Sequence, residues 1–88
     1  MPTVVVRHQV GDFETWLTGH EDRVRLFAPA VSGFETFQDV DDPNSVVLVL
    51  QVTDMEQLDT IMNDPDVQEA KDRHTVIDPI MLSMQVPV

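Results

Sequence analysis

The chain has 88 residues, of which 42% are hydrophobic and 24% charged, a composition suited to one soluble folded domain over residues 1–88 and not to a disordered segment. Sixteen acidic residues against five basic ones give a formal net charge of -11 at pH 7, which repels nucleic-acid phosphates and anionic lipid and excludes both as partners. The absence of cysteine excludes disulfides, thiolate catalysis and cysteine metal sites.

No apolar run approaches the ~20 residues that a membrane span requires. The N-terminus also lacks the charged-then-apolar pattern of a signal peptide, so the expected location is the cytoplasm. Lys71 is the only lysine. This acid-rich balance is like that of proteins from salt-adapted organisms, where screening relieves the self-repulsion of an acidic surface, although generic acidity explains it equally.

In chain order, Thr3 to Val10 reads as a first strand with Val4, Val6, His8 and Val10 on its drier face. Gly11-Asp12 punctuates, with Asp12 placed to cap a helix. Phe13, Trp16, Leu17, His20, Val24 and Phe27 then recur at helical spacing and predict one continuous helix to about Ala28. Its polar face carries Glu14, Glu21, Asp22, Arg23 and Arg25, with Glu21 and Arg25 at a favourable offset for an ion pair. Pro29 ends the helix.

A second strand is predicted over Phe34 to Val40, followed by the turn formers Asp41-Asp42-Pro43-Asn44 and an antiparallel third strand, Ser45 to Thr53. The third strand contains five consecutive aliphatics, Val46 to Leu50, so burial on both faces is expected. Thr53 or Asp54 can cap a helix with the stripe Met55, Leu58, Ile61 and Met62. Asp64 or Asp66 restarts a shorter helix in which Val67 and Ala70 face inward and His74 falls in the last turn. Asp78-Pro79 closes that segment, and Ile80 to Val86 forms the last strand, with Ile80, Leu82 and Met84 beneath the helices.

The order βαββαβ is the ferredoxin-like α+β plan, an antiparallel sheet with its helices on one face. The other face would present Val5, Arg7, Gln9, Val47, Val49, Gln51, Met81, Ser83 and Gln85. It is too apolar for water and amide-lined at its margins, so a homodimer that closes two sheets into a barrel is the expected solution.

The segments VRHQVGDFETW, DDPNSVVLVLQVTDMEQL and NDPDVQEAKDRH resemble the dimeric α/β-barrel superfamily. That group includes antibiotic-biosynthesis-monooxygenase-like proteins, stress-responsive barrel proteins, small polyketide cyclases and haem-degrading monooxygenases. The resemblance covers nearly the whole chain through pattern and not through one diagnostic motif. It implies a pocket between sheet and helices, and chemistry performed without metal or flavin by a His, Tyr, Asn or Trp. In haem degraders an axial His comes from the second helical segment. The chain has no tyrosine, so a mechanism that needs a phenol has no residue here.

His8, His20 and His74 are the candidate catalytic residues: imidazoles entering one pocket supply a base near working pH, or metal or haem ligands. Each also has an ordinary structural role, bonding a backbone carbonyl in the core or at its rim. No His-x-x-x-His pair marks a zinc site. Trp16 is a core residue or a substrate platform. Arg7 either binds a substrate carboxylate on the open face or pairs with Glu35 or with an acid across the dimer. Two functions of different class follow. One is a cofactor-independent monooxygenase- or cyclase-like enzyme acting on an aromatic or polyketide-like molecule. The other is a non-catalytic homodimeric small-molecule-binding or stress-associated module. A haem-binding or haem-degrading protein stands third.

Overall fold

The aliphatic run at Val46 to Leu50 lies at the centre of the molecule, in a computed structural model that describes residues 3–88. The sheet comprises β1 (Thr3–Val10), β2 (Val31–Gln38), β3 (Ser45–Val52) and β4 (Val76–Met84), in the order β2-β3-β1-β4. Every neighbouring pair is antiparallel. Four helices, α1 (Phe13–Leu17), α2 (His20–Phe27), α3 (Met55–Met62) and α4 (Pro65–Arg73), complete a ferredoxin-like α+β fold with the helices on one face. No helix is long and apolar enough to cross a membrane among the described residues.

The two-residue alternation of β1 and β3 makes the core. Val4 pairs with Leu50, Val6 with Leu48 and His8 with Val46, so these side chains share the helix-covered face. Val4, Val6, Val46, Leu48, Leu50 and Val52 are all buried there. On the opposite face Val5, Val47 and Val49 are only half-buried and Gln51 is exposed within one chain. β3 is therefore fully covered on one side alone.

Three boundaries differ from expectation. The first helix is not continuous: it breaks at Thr18-Gly19, where Gly19 becomes the N-cap of α2 at φ -85, ψ 5. Asp12 sits at the N-cap of α1, but its carboxylate accepts from the Thr15 hydroxyl at 2.6 Å and from no backbone N–H of that helix. Arg25 pairs with Asp22, one turn back, and not with Glu21.

β2 begins three residues earlier than its alternation suggested, because Val31 pairs with Val52 and the ladder follows β3 along its full length. It also stops earlier, at Gln38. The Asp39 carboxylate accepts from the N–H groups of Asp41 (2.8 Å) and Asp42 (3.1 Å), which starts the turn one residue after the strand.

β4 runs through Asp78-Pro79, which the sequence treated as a stop. It is an edge strand, and its register against β1 shifts between Arg7 and Gln9, where Met81 and Ile77 are their respective partners. The ladder is open at that bulge, so a proline with no N–H is tolerated. Leu82 and Met84 lie on the helix side but are 52% and 57% exposed, along an open groove that they share with Met55, Leu58 and Met62 of α3.

The acidic caps do what their spacing implies. Asp54 accepts from the Gln57 N–H at 3.1 Å, and Asp64 from the Asp66 N–H at 2.8 Å with Pro65 opening α4.

Candidate functional site

A cavity of about 60 Å³ lies between the sheet and the helices. Val6 and Leu48 form its floor, Trp16, Arg23 and Phe27 one wall, and Met62, Val67 and Ala70 another. Its polar groups are His8, Arg23, Lys71 and His74. Among the described residues no carboxylate lines it, although the chain carries 16 acidic residues.

Trp16 is fully buried and organises this wall. The His8 ring meets it edge-on at 5.9 Å between centroids, and the Arg23 guanidinium lies 4.1 Å from its ring centroid, in cation–π contact. Only 7% of Arg23 is exposed, and none of its three guanidinium nitrogens has a hydrogen-bond partner. Buried polar groups are ordinarily bonded, and buried charges paired. Among the described residues this guanidinium has an aromatic face against it and the charge of Asp22 near by, but no hydrogen bond.

His8 is buried, with Nδ1 3.0 Å from the Gln9 carbonyl oxygen. Nδ1–H donates in that bond, which leaves Nε2 of the neutral ring as an acceptor. The His74 ring sits at the C-cap of α4 in the space left by the absent side chain of Gly19; a Cβ there would lie 2.5 Å from the imidazole. His74 Nε2 is also 3.6 Å from an Asp22 carboxylate oxygen. Lys71 is occupied at the rim, bonding Asp78 at 3.1 Å and Gln68 at 3.2 Å.

Burial pushes the Arg23 guanidinium down to about 10, opposed by Asp22. It remains a cation near neutrality. Burial also lowers His8, opposed by its bond to the Gln9 carbonyl and reinforced by Arg23 and Lys71, with Asp78 acting the other way. His74 is lowered by burial first, then by Arg23 and Arg73, against Asp22. Both imidazoles are therefore held neutral and can accept a proton.

A pH dependence follows. A histidine whose folded pKa lies below its ordinary 6.5 protonates more readily when unfolded. The native state therefore holds its full advantage above 6.5 and loses it as pH falls toward the lowered values. Thermal unfolding should show a falling midpoint below pH 6.5, before carboxylates titrate near about 4. His8→Phe should flatten that slope; an unchanged slope would show that His8 does not carry it.

Of the residues expected to carry chemistry, His8, His74 and Trp16 meet at this cavity. His20 does not. It stands half-buried in a separate pocket of about 250 Å³ with Val24, Phe27 and Phe34, its ring 5.5 Å from Phe34. Arg7 is exposed on the open sheet face and forms no ion pair among the described residues, with Glu35 or otherwise. Arg23 was missed by sequence reasoning, which placed it on the solvent face. A positional signal existed within α2: Arg23 precedes Phe27 by four residues, so the two share one face of that helix. No cluster of three or more histidine and carboxylate side chains able to hold a metal ion occurs among the described residues.

Sheet order, helix placement and an interior cavity define an α+β protein with the antibiotic-biosynthesis-monooxygenase fold. An antibiotic biosynthesis monooxygenase superposes with a TM-score of 0.72 at 16% identity, covering 100% of this chain and 99% of that one. A Bordetella bronchiseptica protein provisionally named as the same kind of monooxygenase gives 0.77 at 16% identity, covering 99% and 96%. SnoaB, a cofactor-independent oxygenase from Streptomyces nogalater, gives 0.73 at 18% identity, covering 99% and 92%. No protein-family profile and no curated protein sequence matches the chain. The shared property is the fold, as the resemblance drawn from the sequence anticipated.

Proposed function

We propose that the protein is a small cofactor-independent monooxygenase- or cyclase-like enzyme acting on an aromatic or polyketide-like molecule in the cavity between sheet and helices. The observation that carries this reading is a neutral, buried His8 beside Trp16 in an apolar cavity, on a fold shared with a cofactor-independent oxygenase. His8 is the base of choice, with Nε2 accepting a proton from a phenolic or enolic substrate and His74 as a second acceptor. The anion so formed is electron-rich enough to react with dioxygen directly. A ring CH2 and O2 then become a ring C=O and water, balanced without an external reductant. In the cyclase variant the same carbanion attacks a carbonyl of its own chain.

The protein would act as a homodimer joined through the open sheet faces, where Phe37, Ile77 and Met81 are 47%, 47% and 52% exposed around half-buried Val5, Val47 and Val49. A Val49→Lys variant should be monomeric by light scattering while keeping its circular dichroism. A monomeric parent protein at high concentration would remove this part of the proposal.

One observation favours the second reading, a non-catalytic small-molecule binder: His8 bonds the Gln9 carbonyl, the ordinary structural role of a core histidine. Cavity size bears on both readings. The cavity holds about 60 Å³, less than the roughly 150 Å³ of an engineered apolar site that takes benzene, so a ring enters only if rim side chains such as Leu26, Met62 and Ile80 move. Oxygen uptake by chelator-treated protein, with a panel of phenols, hydroquinones and anthrones, decides between the two. The enzyme reading expects uptake with at least one substrate and a loss of about tenfold or more in His8→Gln. No uptake across the panel hands the site to the binder.

A further inference from the structure

We infer that Arg23 is a recognition residue for an anionic oxygen, and that the ligand of this cavity is a compact apolar or aromatic molecule carrying one carboxylate. The inference deepens the proposed function and rests on its location of the site, but not on any catalytic step.

The observations are geometric. Arg23 is 93% buried by its 7% exposure, its three nitrogens have no partner, and it lines the cavity. The guanidinium carbon lies 4.1 Å from the Trp16 ring centroid, a contact that supplies no hydrogen-bonding oxygen and leaves the N–H groups as the binding edge. A planar carboxylate matches that edge with two parallel bonds. A phosphate dianion needs donors on more sides. Here the other cation at the cavity, Lys71, is already held by Asp78 and Gln68, and the imidazoles are held neutral by burial.

Local charge agrees. In a chain with net charge -11, two of the five basic residues line this cavity and no acidic residue does. The charge of Asp22 acts on Arg23, but Asp22 pairs with Arg25 and faces His74, and no hydrogen bond joins it to Arg23 among the described residues. The remaining lining is aliphatic and aromatic, including Val6, Leu48, Phe27 and Val67, so an extended polar ligand would leave its other groups unpaired.

The test uses benzoate and its neutral isostere benzamide as probes, with heteronuclear NMR following the His8 and Trp16 side-chain signals. Benzoate should perturb both signals and bind at least about tenfold more tightly than benzamide, the difference a charge-assisted bidentate contact makes. Arg23→Met should abolish that preference, and Arg23→Lys, which keeps charge without the fork, should restore only part of it. Equal binding of the two probes, no binding of benzoate, or an undiminished preference in Arg23→Met would each overturn the inference. The acid-over-amide preference is read on the unmodified protein, so a variant that fails to fold leaves the decision intact. Arg23-dependent benzoate binding without oxygen uptake would uphold the carboxylate site and sink the enzymatic reading alone.

Discussion

Arg23→Met should leave the protein between roughly as stable as the parent and about 2 kcal/mol more stable, while removing the cation that lines the cavity. Replacing buried charge by apolar side chains of similar volume is often neutral or stabilising on that scale, because a charge held out of water without hydrogen bonds bears its full desolvation cost. Arg23 is such a charge, buried beside Val67 and Phe27 with three unpartnered nitrogens. The lost contact with Trp16 subtracts from the gain by about 0.5–2 kcal/mol. Urea unfolding monitored by circular dichroism measures the balance. A variant clearly less stable than the parent would mean that Arg23 is held by favourable contacts in the native state, and that its isolation is not a stored cost. A gain in stability with a loss of ligand recognition is the usual exchange at a binding site.

Trp16→Ala should have the largest effect of any single truncation. The side chain is fully buried and touches Phe13, His8 and Arg23. Removing a buried aromatic of this size costs about 3–5 kcal/mol. A domain of this length holds only roughly 4–13 kcal/mol in total, so the variant should sit near its unfolding threshold at room temperature. Trp16 is the only tryptophan, so the loss has to be followed by circular dichroism and not by fluorescence. Trp16→Phe retains most of the packing and should cost much less. The double variant Trp16→Ala, Arg23→Met should be less damaged than the sum of its parts. Trp16→Ala also strips the arginine of its cation–π contact, and that added penalty disappears once the charge is gone.

The fold could be read in the sequence because period-two strands and acidic caps are local signals. Thr3 to Val10 alternates cleanly and forms a strand over those residues, and Asp54 and Asp64 cap the helices that follow them. The strand ends were less legible. Val31 and Ser32 lack the alternation that marks a strand, and join β2 because β3 continues beside them. Asp78-Pro79 reads as a stop from composition, yet an edge position opposite a register shift accommodates it.

At the site, His8 and Trp16 were legible from facing alone. Arg23 was not, because sorting side chains by polarity sends an arginine outward. It lies on α2, which restarts at His20, and shares with Phe27 the face that this restart turns inward. The same restart separates His20 from Trp16. In an unbroken helix a spacing of four would stack them on one face, whereas here His20 packs against Phe34 in a different depression.

Gly19 gives the break a purpose beyond helix geometry. At the N-cap of α2 glycine is an acceptable residue and alanine a poor one, but the backbone conformation there does not require glycine. In this protein the missing side chain is a mortise, and the imidazole of His74 is the tenon that fills it from the far end of the chain. The two halves of the βαβ repeat are thereby keyed to each other at one atom's width. Gly19→Ala should eject the His74 ring toward solvent and return its titration toward 6.5, a change that proton NMR of the imidazole would read directly. The cavity wall near Arg23 then depends on what residue 19 lacks as much as on what its neighbours supply.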